Sequence, residues 1–276
     1  MNITVEGAKV FWTIKLGLPI LGDLEISETI VVAWIVMAII TGLCWWLTRD
    51  MKIDNISKKQ AAAEALVELA DKFVISNMGE KFKYFIPFVA ALFSTSLISN
   101  LIALVPNPVT LFTDFDSSTT LLESLPNANA FRSPTADLST EAAWAIIVFI
   151  LITRQKIKTD GFGGYLKGFT TPIAVMTPFN ILSELATPIS MACRHFGNIL
   201  SGIVINGLIY AALALASGAL LGMLPGLLGG VLAQIPILSV GLPAILSFYF
   251  DWFTGVMQAF IFSMLTVQYI KNAAGD

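Results

Sequence analysis

Histidine and cysteine are scarce in this chain of 276 residues, with one histidine, His195, and two cysteines, Cys44 and Cys193. The first count excludes a histidine-rich metal centre. The second argues against a disulfide framework, because both cysteines fall in apolar runs with no metal or redox spacing. Charge is sparse as well. Only 13% of residues are charged against 56% hydrophobic, and mean hydropathy is +0.78, which is the composition of a membrane protein. There is no Walker loop, dinucleotide fingerprint or nucleophile elbow, and no polar stretch long enough to form a soluble nucleotide-binding domain. No cofactor, nucleic acid or catalytic chemistry of its own is therefore expected. The net charge of −3 says little about partners, because most charges lie in loops. The apolar run 10–20 contains Lys15 and follows no basic cluster, so it does not read as a signal peptide.

What is present predicts an all-α polytopic fold in a single membrane domain. Residues 1–28 precede the first span at 30–47, where Trp34, Trp45 and Trp46 include interfacial anchors and Arg49 follows as a stop. Within 58–78, Ala62, Leu66, Leu69, Phe73 and Val74 repeat at helical spacing opposite Glu64, Glu68, Asp71 and Lys72. That pattern fits an amphipathic helix on the membrane surface and equally a solvated linker helix. A second span at 84–105 ends at Pro106 and Pro108, and an external loop occupies 106–135. The third span, 136–153, carries Asp137, Ser139 and Glu141 at its outer end, and 154–167 reads as a basic loop hinged at Gly163 and Gly164. As one helix, 178–216 would be roughly 58 Å long, against about 30 Å of hydrocarbon. It must tilt or break, and Pro188 can kink it. The Gly-rich stretch 217–243 predicts a hairpin to a last helix at 242–270, again too long to stand upright.

Lys and Arg set the orientation. Residues 49–83 hold seven and 154–167 hold four, whereas 1–28 hold two and 106–135 only Arg132. The positive-inside rule places the two basic segments and the C-terminus in the cytoplasm and the N-terminus outside, giving five crossings. No inverted repeat of the transporter kind is present.

The stretch that demands a function is 188–202. An arginine near a bilayer centre costs roughly 2.5–3.5 kcal/mol on insertion scales, yet Arg194 lies far from both ends of its apolar run. Snorkelling reaches only a few ångströms. A structural ion pair would need Glu184, which at ten residues away lies roughly 15 Å along the axis. Stepping by threes and fours, Asn180, Glu184, Thr187, Ser190, Arg194, Asn198 and Ser201 fall near one face, with Asn206 beyond them. The last helix repeats the pattern with Ser247, Asp251, Thr254 (or Gly255) and Gln258. Serines and threonines alone would be interhelical glue. Glu184, Arg194, Asp251 and Gln258 make the stripes an ion path. In the expected topology one acid lies on each side of Arg194. Two hydrated half-paths follow, separated by a fixed positive charge that a cation cannot pass unaided.

The quoted residues carry a resemblance. SPTADL (133–138), ATPISMACRHFGNILSG (186–202) and MQAFIFSMLTVQYI (257–270) are similar to the motifs of subunit a of F-type ATP synthases, in order and spacing from about residue 30 to the end. The resemblance implies a stator against which a ring of c subunits turns, with peripheral-stalk b subunits and the rest of the complex as partners. H⁺ or Na⁺ would be the translocated ion, in a bacterial cell membrane. It implies that Arg194 holds the essential arginine position, Gln258 the glutamine facing it, and Asn198 the asparagine one turn on. His195 departs from the usual leucine, and Ile203 stands where many members carry a glutamate. Packing is the expected role of His195, with a proton relay as the alternative. Against the stator reading stand a stand-alone cation channel or secondary transporter, which would need its own mobile carrier past Arg194, and a non-conducting scaffold, which leaves the stripes unexplained.

Overall fold

Long apolar runs with few helix breakers fold as helices, because a lipid-facing backbone must satisfy its own polar groups. The computed structural model describes residues 10–18, 22–54, 56–104, 132–222 and 248–275. Six α-helices account for most of them: α1 (Glu28–Thr48), α2 (Lys58–Met78), α3 (Ile86–Leu101), α4 (Leu138–Gly168), α5 (Thr177–Gly222) and α6 (Thr254–Ala273). Short 3₁₀ turns flank α3 at Glu80–Phe85 and Ile102–Leu104. A departure from the all-helical expectation precedes α1. Strands β1 (Val10–Leu18) and β2 (Gly22–Ser27) pair antiparallel, with Thr13 opposite Glu25 and Ile14 opposite Leu24. The alternation of apolar and polar residues in Val10–Leu18 is a strand signal that a helix-first reading passes over.

Three helical stretches among the described residues are long and apolar enough to cross a membrane: Glu28–Thr48, Glu80–Leu104 and Leu138–Gly168. Local chemistry sets their ends. The Asp137 carboxylate accepts from the Ser139 amide at 2.9 Å and starts α4. Ser57 caps α2 in the same way by accepting from the Gln60 amide at 3.2 Å, and Gly79 ends it at φ 91°. On α2, Val74 is buried in the core while Leu66 and Leu69 remain exposed, so the described residues cover one end of the apolar face and leave the other open.

Two expectations need correction. Residues 154–167 are helical, not a loop, and α4 runs through them to Gly168. The backbone breaks at Gly161 (φ 73°), not at Gly163–Gly164. A single residue in the left-handed region suffices to interrupt the helix, and glycine tolerates it. The fifth helix also runs past Ala216 to Gly222, because 217–222 stay apolar and contain no proline. Pro188 sits inside it and cannot donate to the Glu184 carbonyl. The expected loop at 106–135 and hairpin at 217–243 lie largely outside the described residues, as do the first residues of the expected 242–270 helix.

The chain divides into two compact units. One comprises Ala33–Ser99, Asp137–Phe196 and Gln258–Asp276, and the other Met1–Val32, Asn100–Ala136 and Gly197–Met257. The core of the first is built from Val74, Met78, Phe82, Phe85, Val89 and Leu92 packed with Ala145, Val148 and Ile152 of α4, Met191 and Ala192 of α5, and Phe262, Val267 and Ile270 of α6. Between helices in lipid such contacts act mainly through packing, because the surrounding tails are equally apolar.

Candidate functional site

In the first unit, α5 carries Arg194 on a turn whose neighbours point inward. Met191, Ala192 and His195 are buried, while Arg194 is exposed. Among the described residues Arg194 has no ion-pair partner. The carboxylate on its own helix is engaged elsewhere: Glu184 Oε2 pairs with Lys156 Nζ of α4 at 2.5 Å, with side chains 16% and 31% exposed. A structural Arg194–Glu184 pair is thereby set aside. Lys156 belongs to the segment whose composition predicts a basic loop, and its helical placement brings it to Glu184.

The other stripe residues of α5 divide by what they touch. Asn180 is a clamp on the preceding turn, its Nδ2 donating to the carbonyls of Phe169 (2.8 Å) and Thr171 (3.0 Å). Thr187 donates back to the Ser183 carbonyl at 3.1 Å. Ser190, Asn198 and Ser201 are exposed on the helix. Asn206 lies on the α5 backbone. On α6, Gln258 is buried and Thr254 half-buried in the first turn. Ser247 lies outside the described residues.

His195, next to the arginine, is 1% exposed. Its Nδ1 lies 3.0 Å from Oε2 of Glu141, which is 0% exposed on α4. The atoms are close, but their geometry falls outside that of an aligned hydrogen bond, so this is a close polar contact. The imidazole packs near Phe262 of α6 (5.4 Å between ring centres) and Trp144 of α4 (6.3 Å). Packing, the expected role of His195, is therefore joined by a buried acidic partner. Glu141 was visible in sequence as an acid in a span, but nothing in the spacing linked it to a residue 54 positions on.

In the second unit, Asp251 lies on a π-helical turn, Phe248–Phe253, that leads into α6. Such turns free backbone groups from the regular ladder. Just beyond it the Gly255 carbonyl accepts from Asn100 Nδ2 at 2.8 Å. Asn100 Oδ1 in turn accepts from Thr135 Oγ1, which meets Ser133 Oγ, both at 2.5 Å. Asn100, Ser133 and Thr135 are all buried. This network ties the SPTADL segment and the residue preceding the α3 terminus to the start of α6. A Cβ on Gly255 would lie 2.9 Å from Asn100 Cβ, so only glycine lets the two backbones approach this closely. Sequence reading passed over Asn100, because one asparagine in an apolar span is a weak signal by itself. No group of three or more His, Cys, Asp or Glu able to hold a metal occurs among the described residues.

Comparison with known proteins bears on this arrangement. The family described as "ATP synthase A chain" matches residues 30–271. The chain is similar to "ATP synthase subunit a, sodium ion specific" of Propionigenium modestum, with 31% identity over 251 residues, covering 91% of this chain and 75% of the relative. It is 30% identical over 253 residues to "ATP synthase subunit a 1" of Chlorobaculum parvum, covering 91% and 90% of the two chains. With the corresponding protein of Crocosphaera subtropica it shares 29% identity over 250 residues, covering 90% and 87%. A family match of this extent, on a chain rich in apolar helices, identifies a membrane-sector subunit concerned with ion transport in ATP synthesis. The chain belongs to the ATP synthase A chain family, subunit a of the F-type ATP synthase.

Proposed function

We propose that the chain provides two offset half-channels to the membrane carboxylates of a c-subunit ring, with Arg194 separating them. An ion enters by one half-path, binds a ring carboxylate, and leaves by the other after the ring has turned. Arg194 depresses the pKa of a carboxylate that comes close, on the order of 1–3 units for an adjacent opposite charge, so the ion is released there and cannot leak straight across. Asp251 lines the outer half-path and Glu184, with its partner Lys156, the inner. Gln258 and Asn198 flank the arginine. Thr187, Ser190, Ser201, Asn206, Ser247 and Thr254 supply polar lining, and Asn180 holds the turn at the inner end of α5. The chain itself does no nucleotide chemistry.

In this reading α5 and the last helix are tilted crossings that form a hairpin and complete five spans with the three long apolar stretches. The N-terminus lies outside and the C-terminus in the cytoplasm of a bacterial cell. The exposed face of α2 rests on the membrane surface, and b subunits join the chain to the rest of the complex. The observation that supports the reading most is an exposed arginine, without an ion-pair partner among the described residues, on a membrane-length helix whose one carboxylate, Glu184, is paired with Lys156. A stand-alone channel is the competing function. Copurification separates the two: the stator is expected to come out of mild detergent with a ring of small two-helix proteolipids, and isolation without one, in an ion-conducting form, would favour the channel.

A further inference from the structure

Glu141 and His195 are the fully buried ionisable residues among those described, and the ion path proposed above uses neither. A lone carboxylate in an apolar helix is costly, and the single histidine of the chain is set against this one. Two further contacts give the pair its direction. Trp144, three residues after Glu141 on α4, and Phe262 of α6 stand 6.2 Å apart by ring centres, and both lie beside the imidazole. One side chain of α5 is thus held from two neighbouring helices.

Consecutive residues of an α-helix point about 100° apart. Fixing His195 inward therefore fixes the direction of Arg194, which is exposed. The height is fixed too. Phe262 lies one turn beyond Gln258 on the same face of α6, so the contact of His195 with Phe262 sets how far α5 slides along α6. The level of Arg194 against Gln258 follows from it. An apolar contact alone tolerates rotation and slippage, whereas buried polar atoms that leave this contact lose a polar partner in low dielectric.

We propose that the Glu141–His195 pair is a latch that sets the rotation of this part of α5 and its level against α6, and so aims Arg194. Both are positioning residues outside the ion path. The proposal rests on the stator reading above. It is tested on the whole complex in vesicles, with ATP-driven pumping expressed per assembled complex and passive leak measured after removal of the catalytic sector. His195→Leu is expected to cut pumping per complex about tenfold and to raise the leak, because removing one member of a buried pair leaves its partner orphaned. Adding Glu141→Leu to that variant is expected to restore pumping to within about threefold of the parent, since well-packed apolar residues can replace a buried polar pair.

A purely structural role would lower the amount of complex and leave pumping and leak per complex unchanged, and that result overturns the latch. If His195→Leu yields too little complex, Glu141→Gln is measured in its place. Glutamine keeps the shape and a polar oxygen toward Nδ1, and pumping within about twofold of the parent is expected. Glu141→Ala beside it removes that oxygen and is expected to lose about tenfold per complex; parental pumping by both overturns the latch. A loss as deep as that of Arg194→Ala would put Glu141 in the path itself and overturn the positioning role. Arg194→Ala is run alongside. Normal pumping there sinks the stator reading, whereas loss of pumping by Arg194→Ala with normal pumping by His195→Leu sinks the latch alone.

Discussion

Replacing Gly255 by alanine tests whether the buried network at the start of α6 is as tight as its distances imply. The new Cβ would meet Asn100 Cβ at 2.9 Å, Cγ at 3.7 Å and the backbone carbonyl carbon at 3.9 Å. Ordinary contact begins near 3.4 Å, and the nearest atom is a Cβ, not the tip of a flexible side chain. Relief therefore has to come from backbone movement. Overpacking of this kind costs about 1–3 kcal/mol. The same movement stretches the 2.8 Å bond from Asn100 to the Gly255 carbonyl, worth about 1 kcal/mol. Against this, alanine is better than glycine in a helix by about 1 kcal/mol. The last two terms cancel and the clash decides the sign, for a net loss of about 1–3 kcal/mol. Thermal unfolding of the detergent-solubilised complex, followed through this subunit, should show a lower midpoint for Gly255→Ala. Gly42→Ala in α1 is the control, because beyond its chain neighbours and the helix's own backbone nothing lies within 4 Å of a Cβ there, and its midpoint should be unchanged or slightly raised. A Gly255→Ala variant that melts with or above the parent would refute the close approach and the network built on it.

A double-mutant cycle with Lys156→Met and Glu184→Gln should give a coupling of about 0.5–1 kcal/mol in unfolding experiments, because both side chains keep some solvent contact. A coupling indistinguishable from zero would mean the pair is incidental. Asp251→Asn should slow ion flux on the order of tenfold, about 1.4 kcal/mol on the barrier, while complex yield stays at the parental level. Labelling of cysteines placed at 251 and 184 should proceed from opposite sides of the membrane. Equal access from one side would reject two half-paths.

The helical character of the chain was legible because apolar runs of membrane length have few alternatives in lipid. The amphipathic pattern of α2 was legible from period alone, and so was the anomaly of Arg194, since a charge in a long apolar run stands out without any knowledge of its neighbours. Pairings across helices were not legible. Glu184 and Lys156 are 28 residues apart, and Glu141 and His195 are 54 apart. No periodicity links one helix to another, because which faces meet is decided by packing. The 154–167 segment misled for a local reason: four basic residues and several glycines resemble a loop, yet lysine and arginine are good helix formers and only Gly161 leaves helical geometry. The hairpin β1–β2 was not legible because 10–20 reads as an apolar run around Lys15, and which stretch a strand pairs with is decided by contact, not by period.

Arg194→Ala in reconstituted vesicles tests the central claim most directly. Coupled ATP-driven pumping and ion-driven ATP synthesis should both be abolished, and ATP hydrolysis by the detached catalytic sector should be untouched. Passive leak through the membrane sector should persist or rise once the barrier between the half-paths is gone. Arg194→Lys should rescue poorly, because an ammonium lacks the planar fork and loses its proton more readily. Near-normal pumping by the alanine variant would contradict the account.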